Sequence, residues 1–358
     1  MQQRIPQLDA VRGVAILVVM LHNSGAFPRL FAQGWMGVDL FFVLSGFLIT
    51  GILLDTKQSD GYFRNFYVRR CLRIWPLYYS ALFFMFVLVP FLRPSEAHMV
   101  FGSRSSPWWA YPLYLQNFLV PNPTGATGLL AVTWSLAIEE QFYLVWPWVI
   151  RYCSHTQLRR VAIAVICVSP ALRFYLSLHH VDIYTNVFCR LDALMAGALL
   201  ALVLRSENFL PSNFIKRAWT ALFIAAPLAL ITATLNARWI AFSLTAMAAV
   251  SFVYLALFSA QKWLRVALTN RFLVYTGTIS YGLYLLHKIP FDMAKTFHFD
   301  GHPLLILPIA IVASYALATL SWNLLEKPFL RLKRFFESAP ARPHAANSQL
   351  VLAPQKGS

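Results

Sequence analysis

Charged residues are scarce in this chain of 358 residues, and acidic residues are scarcer than basic ones. Only 12% of the residues are charged, whereas 58% are hydrophobic. Soluble domains of ordinary composition are about one quarter charged. The deficit excludes an ordinary soluble protein. Because the apolar runs are continuous and do not alternate with polar residues, the sequence also argues against an outer-membrane barrel.

Cysteine is equally sparse, and its spacing carries no metal or redox signature. The four cysteines, Cys71, Cys153, Cys167 and Cys189, form neither a CxxC pair nor a metal-ligand pattern. We therefore expect free thiols and no metal site. A cleavable signal peptide is not expected either, because the first apolar run contains Arg12 and lacks a small-x-small exit. That run is predicted to be a retained signal-anchor.

What the chain has in abundance is apolar stretches of about 18 residues, each long enough to cross ~30 Å of hydrocarbon. The sequence predicts an all-α fold, a polytopic transmembrane helical bundle of about ten spans, with residues 1–336 embedded in the membrane and a disordered cytoplasmic tail at 337–358. The predicted spans are 11–28, 35–54, 72–92, 132–150, 160–178, 187–204, 218–235, 239–259, 273–292 and 303–325.

Basic residues outnumber acidic ones by 30 to 14, which could indicate a nucleic-acid partner. Here, however, the basic residues lie mostly in short loops between the predicted spans. One side of the membrane receives 22 of them and the other receives 5. A bias of this size predicts that both termini are cytoplasmic and gives no reason to expect nucleic acid.

Ionisable residues recur within the predicted spans, where a bilayer makes them costly, and this points to function. The first span contains Arg12 and His22, and imidazole is the side chain best suited to proton transfer near neutral pH. Helical rise places further polar side chains at the level of His22, in the outer halves of their spans. They are Asp39, Glu139, Glu140, Arg173, Arg190, Asp192 and His287. The alternative is that these groups pair only to neutralise buried charge.

A second polar group lies at the cytoplasmic end of the predicted third span. Arg69, Arg70 and Arg73 open this span, and Arg70 and Arg73 share a helix face. Arg12 is expected at the same level. A helix start offers free N–H groups and a positive dipole end, and arginines there make a seat for phosphate. The alternative is that these arginines only set the topology.

An anion seat inside and an acid–base cluster outside favour transfer of a group across the membrane, from a phosphorylated cytoplasmic donor to an acceptor on the far side. Two other classes stay open. A proton-coupled exporter also needs His, Glu and Arg within the membrane. A lipid-carrier flippase could use the basic end to bind a lipid phosphate.

Seven separate stretches, in the expected order, resemble acyltransferase family 3 of integral-membrane acyltransferases. They are LDAVRGVAILVVMLH at 8–22, GVDLFFVLSGFLIT at 37–50, RRCLRIWPLYY at 69–79, TWSLAIEEQFYLVWP at 133–147, RLDALMAGAL at 190–199, ISYGLYLLH at 279–287 and EKP at 326–328. The resemblance runs from about residue 6 to residue 334. It implies an enzyme that O-acylates sugars of a surface or exported polysaccharide, or of a glycolipid, at the bacterial inner membrane.

The resemblance also implies roles for matching positions. His22 corresponds to the essential histidine that activates the acceptor hydroxyl, and Arg12 to the motif arginine. Arg70 and Arg73 correspond to an Arg-x-x-Arg pair that holds the acyl donor, usually acetyl-coenzyme A. Glu139 belongs to a Trp-Ser-Leu-x-x-Glu element. Nine residues separate Arg12 from His22, where the family often has ten.

The resulting hypothesis assigns three sets of residues: catalytic residues, residues that bind the donor and residues that bind the acceptor. His22 acts as general base or carries the acyl group, and Glu139 or Asp39 orients it. Arg12, Arg70 and Arg73 hold acyl-coenzyme A, which is a substrate, and no permanently bound cofactor is expected. The expected partners are this donor, a glycan or lipid-linked glycan acceptor, and membrane lipids. The acceptor side is assigned to Trp134, Glu140, Arg190, Asp192 and His287. For Trp134 and His287, anchoring at the interface and helix packing are the respective alternatives.

Overall fold

The structure, a computed structural model, describes residues 5–25, 27–92, 107–119, 128–206, 209–296 and 303–336. Within these residues the regular elements are all helices, and no strand is present. The predicted all-helical class is confirmed. The predicted tail at 337–358 lies outside the described residues.

The principal helices are numbered in chain order. They are α1 (Pro6–Ser24), α2 (Met36–Asp55), α3 (Tyr62–Phe83), α4 (Thr133–Tyr152), α5 (His155–Leu178), α6 (Leu191–Leu204), α7 (Ser212–Thr234), α8 (Arg238–Phe258), α9 (Lys262–Leu268), α10 (Arg271–Thr278), α11 (Ser280–Leu286), α12 (Lys288–Thr296), α13 (Pro303–Ser321) and α14 (Lys327–Arg331). A π-helical turn at Phe84–Leu88 extends α3, and another at Trp322–Glu326 joins α13 to α14.

Each predicted span except the sixth and the ninth coincides largely with a continuous helical stretch. The sixth, 187–204, divides at Arg190 into a 3₁₀ turn, Val187–Cys189, and α6. The ninth, 273–292, is divided among α10, α11 and α12, with breaks at Ile279 and His287. Helix α1 ends earlier than predicted, because Gly25 adopts a left-handed conformation with φ of 67° and terminates it. Helix α3 begins ten residues before the predicted span 72–92, so its first turns are not part of the apolar segment.

Six helical stretches are long and apolar enough to cross a membrane. They are Met36–Asp55, Tyr62–Leu92, His155–Leu178, Ser212–Thr234, Arg238–Phe258 and Ile306–Phe336. Helices α1 and α4 are not among the six, because polar and ionisable side chains lower their mean hydropathy. The ten-span arrangement and the sides of the termini stay predictions.

Helix α2 lies at the centre of the bundle and packs against α1, α4, α6 and α8. Its closest neighbour is α6, and a glycine on each of these helices faces the backbone of the other helix. A Cβ atom on Gly46 would lie 1.9 Å from the carbonyl oxygen of Leu194, and one on Gly197 would lie 2.0 Å from that of Val43. The two backbones therefore touch directly, which fixes α2 as the scaffold of the cavity described next.

Candidate active site

A cavity of about 260 Å³ lies between α1, α2, α3, α4 and α11. Its walls combine apolar side chains of α2 with charged and hydroxyl-bearing side chains of the other helices. Arg12, Arg70, Arg73 and Glu139 all line it. The structure thus brings together the three arginines predicted to hold the donor and one of the predicted catalytic residues.

The three arginines reach the cavity from two helices and keep much of their hydrogen-bonding capacity for a ligand. Arg12 Nη1 lies 3.0 Å from Asp9 Oδ1, one turn earlier on α1. The Arg70 guanidinium lies 5.8 Å from the ring centroids of Phe66 and Tyr143. Contacts of this kind orient a guanidinium and leave its charge intact. The arrangement suits an anion that approaches from the cavity.

The predicted position of these arginines at a helix start is wrong. Helix α3 begins at Tyr62, after Gly61, so Arg70 and Arg73 lie more than two turns inside it. Their backbone N–H groups are engaged within the helix and are not free for a ligand. Guanidinium groups, and not a helix N-terminus, therefore supply the positive character of this cavity.

Glu139 lies with the arginines and does not contact His22. Its carboxylate lies near the hydroxyl groups of Ser45 and Tyr143, which stabilise its charge together with Arg70 and Arg12. The same two hydroxyl groups also contact each other. The predicted arrangement in which Glu139 orients the imidazole is not seen, and the carboxylate instead closes a polar network on the cavity wall.

Sequence reasoning missed part of this wall, although a signal was present. Ser135, Glu139 and Tyr143 follow one another at intervals of four residues, which places them on one face of α4. Opposite Ser135, the Tyr284 hydroxyl of α11 lies 2.5 Å from Ser135 Oγ. Extending the four-residue interval on either side of Glu139 would have identified both of the α4 hydroxyls.

Glu326 is a second residue that sequence reasoning left without a role. It is 4% exposed, accepts a hydrogen bond of 3.2 Å from Ser321 Oγ, and attracts Arg73. It ends the π-helical turn that precedes α14. Its negative charge lies near Arg73 but outside the cavity, since Glu326 does not line it.

His22 lies beyond the cavity, near the end of α1, and does not line it. Gly37 faces Val19, and the adjacent Val38 lines the cavity. His22 is three residues past Val19, about 4.5 Å further along the helix. His22 follows Arg12 by ten positions, over which an α-helix rotates about 80° less than three full turns. The two side chains therefore point in different directions.

The His22 ring is half-buried, and its tautomer follows from its partner. Nδ1 lies 2.9 Å from the carbonyl oxygen of Phe31. A carbonyl only accepts, so Nδ1 carries a proton, and in the neutral ring Nε2 carries the lone pair. This is the form that a general base requires. The Phe31 carbonyl holds the ring, a role that the sequence had assigned to Asp39 or Glu139.

His287 is fully buried and both of its ring nitrogens are engaged. Nδ1 donates to the carbonyl oxygens of Tyr284 at 2.8 Å and of Leu283 at 3.0 Å. Nε2 accepts from Nδ2 of Asn23, at 3.1 Å. His287 therefore connects the end of α1 to α11, next to His22. This contact supports the alternative in which His287 serves helix packing.

Asp39 and Arg190 form a buried ion pair of 2.7 Å between α2 and the start of α6. The Arg190 guanidinium lies 3.8 Å from the ring centroid of Phe242 and 5.8 Å from that of Trp134. Asp39, predicted to be catalytic, is thus in one aromatic-lined cluster with Arg190 and Trp134, both predicted on the acceptor side. Its contacts support the charge-neutralising alternative.

Asp192 pairs with Arg173 at 2.7 Å, and both are buried. Arg173 also donates to the carbonyl oxygen of Trp239, and Ser243 Oγ donates to Asp192 at 2.8 Å. This saturated network joins α5, α6 and α8 and has no contact with the cavity. Glu140 does not line the cavity either, and its Oε1 is buried without a hydrogen-bond partner among the described residues.

No group of three or more His, Cys, Asp and Glu side chains in the described part of the chain is arranged to hold a metal ion. The groups that stand ready for a ligand are the guanidiniums and hydroxyls of the cavity. They provide positive charge at one end and hydrogen-bonding groups along one wall.

A family model described as "Acyltransferase domain" matches residues 5–323. A Bacillus subtilis protein provisionally named peptidoglycan O-acetyltransferase YrhL is 30% identical over 90% of this chain and 54% of its own length. A Staphylococcus aureus protein (strain COL), provisionally named an O-acetyltransferase, is 27% identical over 91% of this chain and 57% of its own.

The peptidoglycan O-acetyltransferase OatA of Listeria monocytogenes is 34% identical over 40% of this chain and 24% of its own length. The chain thus spans little more than half the length of the relatives that it matches along most of its sequence. No solved structure gives a significant match.

Proposed function

The chain belongs to the acyltransferase domain family, and we propose that it is an O-acetyltransferase of the bacterial inner membrane that transfers acetyl from cytoplasmic acetyl-coenzyme A to a sugar hydroxyl of a surface polysaccharide. The acyltransferase activity follows from the family. The apolar helices make the chain a multi-pass membrane protein. The donor, the acceptor and the roles of individual residues are the proposal.

The observation that carries the proposal is the meeting of Arg12, Arg70 and Arg73 at one cavity between helices. Coenzyme A bears a diphosphate and a 3′-phosphate, and guanidinium groups bind phosphate with paired, charge-assisted hydrogen bonds. Its pantetheine arm is long and uncharged. An arm of this kind fits a cavity whose walls are apolar on α2 and hydroxyl-bearing on α4 and α11.

In the proposed reaction, Nε2 of His22 accepts the proton of the acceptor hydroxyl. The hydroxyl oxygen then attacks the thioester carbonyl, a C–O bond forms, the C–S bond breaks, and coenzyme A leaves as a thiolate that takes up a proton. In the variant with a covalent intermediate, the imidazole itself carries the acetyl group to the sugar. Glu139 holds the Ser45 and Tyr143 hydroxyls toward the arm of the donor.

The acceptor is proposed from the relatives. Two of them carry peptidoglycan O-acetyltransferase in their names, which supports a polysaccharide acceptor, with peptidoglycan the first to test. The acceptor stands at the outer side of the membrane, because His22 lies beyond the cavity in the direction away from the arginines. Asp39, Arg190 and Trp134 support this region through their buried cluster and do not themselves contact the sugar.

The test is transfer of labelled acetyl from acetyl-coenzyme A to a glycan by the purified, detergent-solubilised chain. His22→Ala is expected to lower the rate by about 10²–10⁴-fold, because it removes the proton acceptor. His179→Ala, at an exposed position after α5, is the matched control and should retain the parental rate. Near-parental transfer by His22→Ala would refute the role of this residue.

The same preparation distinguishes the rival classes. An exporter should move its solute across proteoliposomes without coenzyme A, and a flippase should move a lipid carrier. If the purified chain moves either one and transfers no acetyl, the proposed reaction is wrong.

A further inference from the structure

Lys333 lies near the three cavity arginines and Arg69, although it is far from all four in sequence. It lies in the 3₁₀ turn Leu332–Phe336, which packs against α3. Its neighbours Arg331 and Arg334 are exposed, whereas Lys333 is half-buried. The chain therefore turns this one lysine inward, toward the helix that carries Arg69, Arg70 and Arg73.

The surroundings of Lys333 are strongly positive. It is repelled by Arg73, Arg70, Arg69 and Arg12, in that order of strength. Such crowding is unfavourable unless an anion joins it, since like charges at short range raise the free energy of the folded state. A bound anion would offset this repulsion.

Carboxylates are distributed unevenly among these five cations. Arg12 forms an ion pair with Asp9, Arg70 is attracted to Glu139, and Arg73 is attracted to Glu326. For Lys333 and Arg69, no carboxylate of the described residues lies within ion-pair distance. These two also differ from the other three in position, because neither lines the main cavity.

We propose that Lys333, with Arg69, binds the 3′-phosphate of the donor, a phosphomonoester outside the cavity. The inference rests on the proposed function and follows from the order of groups along coenzyme A. The thioester arm occupies the cavity, so the diphosphate at the end of that arm meets Arg12, Arg70 and Arg73. The 3′-phosphate lies one ribose further out, where the cations that do not line the cavity are found.

The experiment compares binding of coenzyme A and of 3′-dephospho-coenzyme A to the full chain in detergent by calorimetry. In the parent, coenzyme A should bind roughly tenfold more tightly, because one charge-assisted contact is lost with the 3′-phosphate. Lys333→Gln should lower the affinity for coenzyme A by a similar factor and leave 3′-dephospho-coenzyme A unaffected. Lys333→Arg should retain the preference.

The matched control is Lys327→Gln, an exposed lysine of the same terminal segment, which should bind both ligands like the parent. If Lys333→Gln weakens both ligands equally, or neither, the 3′-phosphate assignment is wrong and the donor itself stands. If the parent binds no coenzyme A, the proposed donor fails as well.

A lipid headgroup is the other source of a phosphate at this site. The titrations are therefore repeated with phosphatidylglycerol added to the detergent. The same preference for coenzyme A with and without lipid supports the assignment. A Lys333→Gln effect that appears only as a change in phosphatidylglycerol binding overturns it.

Discussion

At the scale of single residues, the arginines of this chain divide according to what surrounds each guanidinium. Arg173 and Arg190 are buried and paired with Asp192 and Asp39, and neither lines the cavity. Arg70 and Arg73 are half-buried and face the cavity. Breaking a buried pair leaves an uncompensated charge, so the first group stabilises the fold. The second group has its charge available for a ligand.

Arg73→Gln is predicted to raise the KM for acetyl-coenzyme A by about tenfold, because one phosphate contact of about 1.4 kcal/mol is lost. The measurement is the initial transfer rate against donor concentration. Arg64→Gln on the same helix is the control, since Arg64 is exposed and does not line the cavity. An Arg73→Gln enzyme with an unchanged KM would remove the proposed donor contact.

The sequence was a better guide to the identity of the site residues than to their grouping in space. Arg12, Arg70 and Arg73 were expected together and do line one cavity. Glu139 was expected beside His22 and lies beside Arg70 instead. Hydropathy gives the depth of a residue along a helix axis, but the direction in which its side chain points depends on how neighbouring helices are rotated. That rotation is a property of packing and has no local signal.

At the scale of elements, the contact between α2 and α6 holds the cavity wall in place. Gly46 and Gly197 let the two backbones meet, as small residues do in membrane bundles. Other sides of α2 carry Ser45, Leu48 and further residues of the cavity lining. A change in the distance between α2 and α6 is therefore expected to alter the cavity.

Gly46→Ala is predicted to destabilise the protein by about 1–3 kcal/mol, because the added methyl meets backbone atoms that cannot move independently. A thermal unfolding scan in detergent measures this. Gly51→Ala on the same helix should cost less, since its methyl would meet only the end of the Arg205 side chain, at 2.9 Å. Equal loss for the two variants would contradict the assigned contact.

The apolar runs predicted the helices well and their irregularities poorly. The long runs correspond to α2, α5, α7 and α8 within a few residues. The breaks of the ninth predicted span at Ile279 and His287 were not predicted, although Thr278 and Ser280 flank the first and Lys288 follows the second. Nδ1 of His287 donates hydrogen bonds to carbonyl oxygens of α11, and these bonds stabilise the break. The direction of this side chain depends on the folded structure, so hydropathy does not predict the bonds.

At the scale of the whole molecule, the unequal distribution of Lys and Arg between the loops determines which way the bundle faces. If both termini are cytoplasmic, Arg70, Arg73 and Lys333 face the compartment that contains acetyl-coenzyme A. His22 then lies toward the opposite surface. The chemistry proposed here requires this orientation, so a topology experiment is also a test of function.

Fusions that end at residues 336 and 236 are predicted to lie on opposite sides of the membrane. A fluorescent reporter should fold after residue 336, in the cytoplasm, and alkaline phosphatase should be active after residue 236, in the loop between α7 and α8. Phosphatase activity after residue 336 together with fluorescence after residue 236 would invert the topology. That result would place the arginines on the side that lacks the donor.

The hydrogen bond from His22 to Phe31 has a consequence for how this chain tolerates mutation. The imidazole is oriented by a peptide oxygen, which every amino acid supplies, and not by an acidic side chain that a single codon change could remove. Substitutions at position 31 therefore preserve the reactive nitrogen as long as the main chain keeps its path. Shortening or lengthening the connection between α1 and α2 is what would disable it.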